Sequence, residues 1–134
     1  MERTGAKALA CTALQTLIDL LYIVSDLDFQ RAVWLRGDHP MQYVSSYTEA
    51  NEMFIDNLEW LLSDDIWRYA ISESQIAALR MFGAALEAFY DREPHADPSK
   101  LLTSPAWKSI TSLAAETLQK LGNNACRVKP TIAH

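Results

Sequence analysis

Four carboxylates carry the most suggestive spacing in the chain. Glu49, Glu52, Asp56 and Glu59 occupy one arc of roughly 80° when placed on a helix of 3.6 residues per turn. Oxygen ligands on successive turns can hold part of a divalent cation's shell. The same stripe can instead attract a basic partner. A merely solvated face would mix signs, because opposite charges at i,i+4 stabilise a helix and like charges oppose it. Here Glu52 and Asp56 are a like pair, and seven acidic residues with no lysine or arginine lie between Arg36 and Arg68. From Lys100 onward the balance reverses, with five basic residues against Glu116 alone. Charge segregated in this way produces a field with a direction. Met53 and Trp60 lie beside the acidic arc, and Asp64 and Asp65 extend the acidic run. Apolar anchors at a charged rim are the composition of a protein interface. The candidate partner-binding set is therefore Glu49, Glu52, Met53, Asp56, Glu59, Trp60, Asp64 and Asp65.

Other chemistries find less support. Glu49-x-x-Glu52 with Asp56 could supply part of a magnesium site, and the stripe is faintly similar to the all-α nucleotide pyrophosphatases. That family adds a second acidic pair on a neighbouring helix, and the spacing of Glu87 and Asp91 does not match it. A di-iron bundle site would need Glu-x-x-His pairs, and none is present. His39, His95 and His134 fall in loops or at the terminus. Cys11 and Cys126 are the only cysteines and lack zinc spacing. They could form one bridge, but a chain of this size does not require it, so both are read as reduced thiols of a cytosolic protein. Asp19 sits near a wide apolar face, where an arginine (Arg31, Arg68 or Arg80) is the expected partner. No catalytic residue, metal or cofactor is expected, and the chain is read as a non-enzyme.

The elements that must position these residues are helical. The chain has 134 residues, a hydrophobic share of 49% and a formal net charge of −5. That suits one domain with its own core and argues against a general nucleic-acid binder. The oily "ALACTALQTLIDLLYIV" contains Gln15 and Asp19 near its middle, so it reads as a buried helix and not as a membrane span. A signal peptide fits no better, because "ALA" precedes the apolar run.

Periodicity predicts helices near 6–24, 26–35, 47–62, 73–91 and 105–121, with a further short turn through "IWRYA". Leu9, Ala13, Leu14, Leu17, Ile18, Leu20, Leu21 and Val24 share one half of the first. Ser25/Asp28, Ser46/Glu49 and Ser72/Gln75 have capping-box spacing. Asp97-Pro98 and Ser104-Pro105 read as N-cap followed by proline. Gly37 ends the second helix and opens the loop "GDHPMQ". Gly83 lies on the apolar face of the fourth long segment, where it would let a neighbour approach closely. Phe82 and Trp107 centre their apolar faces and are expected to be buried. The predicted fold is an all-α, single-domain antiparallel helical bundle of about five or six helices over 1–122, with a loose tail over 123–134.

The acidic helix "EANEMFIDNLEWLLSDD" and the closing "DPSKLLTSPAWKSITSLAAETLQKL" resemble the small helical immunity proteins of bacterial toxin–immunity systems, including those of contact-dependent growth inhibition. The resemblance implies a cytoplasmic inhibitor that binds a basic toxin domain and blocks its active site. It implies no nucleic-acid or membrane partner. Two alternatives are a magnesium-dependent nucleotide-hydrolysing enzyme using Glu49, Glu52 and Asp56, and a helical adaptor that self-associates through the same helix as a homo-oligomer.

Overall fold

The structure, a computed structural model, describes residues 2–36 and 46–131, with side chains from Gly5 onward. The predicted loop from Gly37 to Gln42 lies outside the described residues, as do His39 and His134. Among the described residues there are six α-helices and no strand. They are α1 (Glu2–Val24), α2 (Leu27–Gln30), α3 (Tyr47–Leu62), α4 (Glu73–Arg92), α5 (Pro98–Leu101) and α6 (Pro105–Lys120). A π-helical turn (Arg31–Leu35) continues α2, and a 3-10 segment (Ser63–Tyr69) follows α3.

The long helices α1, α3, α4 and α6 form a ring in which each packs on two others. Their contacts make neighbours antiparallel. Tyr47 at the start of α3 donates its hydroxyl proton to the carbonyl of Glu93 just past α4, while Phe54 meets Phe82 mid-helix at 5.1 Å between ring centroids. Gln75 near the start of α4 donates to the carbonyl of Lys120 at the end of α6.

Capping residues set most boundaries. Ser46, Ser72 and Ser104 each accept a backbone N–H at the first turn of α3, α4 and α6, and Ser72 with Gln75 completes a reciprocal box. Asp97 and Ser104 each precede a proline at the helix start. One cap differs from the sequence reading. Asp26, not Ser25, caps α2 by accepting from the N–H of Phe29, while Ser25 donates back to the carbonyl of Tyr22. A serine hydroxyl beside a helix C-terminus finds free carbonyls first, which leaves the next residue to start the following helix.

One end of the bundle is closed by rings. Trp107 is fully buried and packs edge-on to Tyr47 and at a tilt to Phe89, with ring centroids 5.4 and 5.3 Å apart. Its indole N–H donates to Gln30, whose own amide donates to the carbonyls of Ile23 and Val24. Gln30 thereby pairs with two of the last carbonyls of α1, that of Ile23 shared with the Asp26 N–H, and with the indole N–H of Trp107, which is why a fully buried glutamine is tolerated there. Phe82 is also fully buried. Gly83 lets Leu58 of α3 come so near that a Cβ at this position would lie 2.6 Å from its Cδ2.

The first helix is the most enclosed. From Leu17 to Leu21 every side chain is buried, Asp19 included, because α3, α6 and the 3-10 segment all pack on it. Leu9, placed by periodicity on the apolar half, is 53% exposed. By length and composition Gly5–Val24 could cross a membrane, yet more than half of its most apolar window is covered by the rest of the fold.

Candidate functional site

The acidic residues of α3 follow from its two faces. Tyr47, Ala50, Phe54, Leu58 and Leu61 are buried, which turns the opposite side to water. Glu52, Asp56, Glu59 and Trp60 are exposed there, while Glu49 and Met53 are half-buried. Met53 packs against the edge of the core. Among the described residues no ion pair involves Glu52, Asp56 or Glu59. Asp56, Glu59, Trp60 and Ser63 line an open hollow of about 420 Å³ at the end of the helix. Trp60 is 57% exposed, so the chain leaves a large apolar ring in water beside Asp56 and Glu59.

Helical periodicity stops at Leu62. Asp64 and Asp65 are both exposed, and both take left-handed backbone conformations with φ of 53°. The 3-10 segment is therefore broken near its start, and the two carboxylates do not continue the helical arc by its own geometry. Aspartate enters this region more readily than most residues, at a cost of order 1–3 kcal/mol each.

Among the described residues no three His, Cys, Asp or Glu side chains come together as a metal-holding group. A separate cavity of about 250 Å³ lies where α4, α5 and α6 meet, floored by Phe89 and ringed by Arg92, Glu93, Asp97 and Lys100. Its charges are mixed, and its volume is below the range of about 300–1,000 Å³ usual for small-molecule sites. Hydrogen bonds from the hydroxyl and amide of Ser99 hold the Asp97 carboxyl below its ordinary pKa, as suits a helix cap.

The cysteines correct the sequence reading. Cys11 and Cys126 are joined in a disulfide, with Cα atoms 5.6 Å apart, and the described chain has no free thiol. The segment after α6, expected to be loose, returns along α1 instead. The side-chain amide of Gln15 donates to the carbonyl of Lys129. Asp19 accepts from the backbone N–H and the hydroxyl of Thr131 at 2.8 and 2.9 Å, and from Gln15 at 3.3 Å. Arginine was the expected partner for Asp19, and these donors take that place. Of the candidates, Arg31 pairs with Asp28 at 2.9 Å, and Arg68 reaches Glu73 at 3.9 Å while lying over Trp67. Cys11, Gln15 and Asp19 stand four residues apart, hence on one stripe of α1. That stripe was the available signal: a thiol, an amide and a carboxylate aligned on a helix otherwise bound for the core.

No family model, curated protein or solved structure matches the chain.

Proposed function

We propose that the protein is a non-enzymatic, immunity-type inhibitor that covers a basic surface of a partner protein, such as a toxin domain, with the outer face of α3. The observation that carries this reading is Trp60, more than half exposed beside Asp56 and Glu59 in an open hollow. An indole in water gives the fold little, whereas tryptophan is among the residues that most often dominate binding energy. The surrounding carboxylates lack intramolecular ion pairs among the described residues, so a basic partner would not have to displace internal cations. Their shared sign would speed encounter with that partner and reject acidic ones.

The disulfide bears on where such an inhibitor acts. Bonds of this kind persist in oxidising compartments and are rare in a reducing cytosol. The paired cysteines support an oxidising compartment, whereas the immunity-protein resemblance implies a cytoplasmic one; the former is the setting proposed.

The test is a calorimetric titration with purified basic toxin domains as partners. Reversing Glu52 and Asp56 together to lysine should weaken affinity at least tenfold, about 1.4 kcal/mol. Both side chains point into water, so thermal stability should change by no more than about 0.5 kcal/mol. Equal affinity for both forms would remove the acidic face from recognition. A dimer dissociated by the same substitutions, with no binding of the partner, would favour self-association.

A further inference from the structure

We infer that the Cys11–Cys126 bond is a redox-operated clasp. While oxidised it holds the C-terminal segment as a strap over α1; on reduction the strap lifts and uncovers Asp19 in a bundle that stays folded.

The strap runs in the same direction as α1. Its contacts fall in step: Cys126 on Cys11, Lys129 on Gln15, Thr131 on Asp19. From Cys11 to Asp19 the helix rises about 12 Å. The stretch from Cys126 to Thr131 spans at most about 18 Å when extended, enough to cover that distance with one bend. The bend is at Arg127, whose φ of 57° puts a non-glycine residue in the left-handed region. That conformation is unfavourable by itself and must be held by its surroundings.

Before the strap the chain is firmly placed. Asn124 is buried and donates to the carbonyl of Leu121, and the Ala125 N–H donates to the carbonyl of Ala70. Beyond Cys126 the hold is thinner. Arg127, Lys129 and Thr131 are exposed, while Val128 packs partly against the core and pairs its N–H and carbonyl with the Asn124 side chain. Past the disulfide the strap meets α1 through hydrogen bonds from Gln15 to Lys129 and from Thr131 to both carboxylate oxygens of Asp19. Segments with few buried apolar contacts open at low free energy, independently of the rest of the fold. Past the Asn124 clamp on Val128, the covalent link is what keeps the strap in register with α1, and the helix ring does not depend on it for its apolar core.

Both cysteines are half-exposed, so a dithiol reductant can reach them. One reductant thiolate attacks a sulfur of the bond and forms a mixed disulfide. The second reductant thiol then displaces the protein sulfur. The protein gains two electrons and two protons as two thiols, and the reductant leaves as its own disulfide. An oxidising compartment keeps the strap shut, and a reducing one opens it.

Amide hydrogen exchange on the full chain, with and without dithiothreitol, tests the clasp. On reduction the Thr131 amide should exchange at least tenfold faster, while the Leu86 amide of α4 keeps its rate; reoxidation should restore Thr131. Replacing both cysteines by serine (Cys11→Ser with Cys126→Ser) should reproduce the reduced pattern without reductant. Unchanged Thr131 protection in the reduced chain and in the serine variant would overturn the clasp and leave a static cross-link. Loss of protection throughout α4 and α6 would also overturn it, because the bond would then hold the whole fold.

Discussion

Asp19 on α1 is 1% exposed and takes hydrogen bonds from Gln15 and Thr131, whereas Glu52, Asp56 and Glu59 on α3 stand in water with no ion pair among the described residues. These are the same chemical group in opposite settings. A buried carboxylate must be given donors or it destabilises the fold, so Asp19 draws in a segment 112 residues away in sequence. An exposed carboxylate has water for a partner and places no demand on the chain. Its cost is repulsion from its neighbours, which an external cation can relieve. The contrast separates acidic residues that organise the fold from acidic residues left available for something outside it.

The comparison gives substitutions of graded effect. Asp19→Ala should be the most damaging, because two strap donors and the Gln15 amide would lose a charged acceptor. A loss of about 1.5–3 kcal/mol is expected from hydrogen bonds to a charged group, read as a lower denaturant midpoint. A midpoint shifted no more than in the α3 charge reversal would erase the distinction between the two settings.

Tyr47 sharpens the contrast within α3 itself. It lies on the buried side, and burial, with the nearby Tyr90 and Glu93, raises its hydroxyl pKa well above the ordinary value. The folded state thus keeps its proton where the unfolded chain releases it. Stability from this group is complete below the unfolded pKa of about 10 and is lost as pH rises above it. Melting temperature should therefore fall more steeply above about pH 10 in the wild type than in Tyr47→Phe. Parallel alkaline slopes would show that Tyr47 ionises without cost.

The legible parts of this fold are those whose signals are local. Ser104-Pro105 marks the start of α6, and Trp107, Ile110, Ala114 and Leu121 repeat at the helical period and are all buried. The close approach at Gly83 was readable because a glycine on an apolar helix face has few other uses. The strap was not readable in this way. Its segment has no periodicity, and its contacts join residues more than a hundred apart. Nothing near Cys126 in sequence points to Cys11. The composition of the α3 face was equally plain in the sequence, while the half-burial of Glu49 and the backbone reversal at Asp64 and Asp65 depend on how the chain leaves the helix.

The central claim, that the outer face of α3 is a recognition surface anchored by Trp60, is tested most directly by binding kinetics of Trp60→Ala with a basic toxin domain that the wild type binds. A short-range apolar anchor acts mainly on dissociation. The substitution should speed dissociation at least tenfold while leaving association within about threefold of wild type, because the steering carboxylates remain. Folding stability should be unaltered, since the ring is mostly in water. Dissociation at the wild-type rate would contradict the account and return Trp60 to an incidental surface residue.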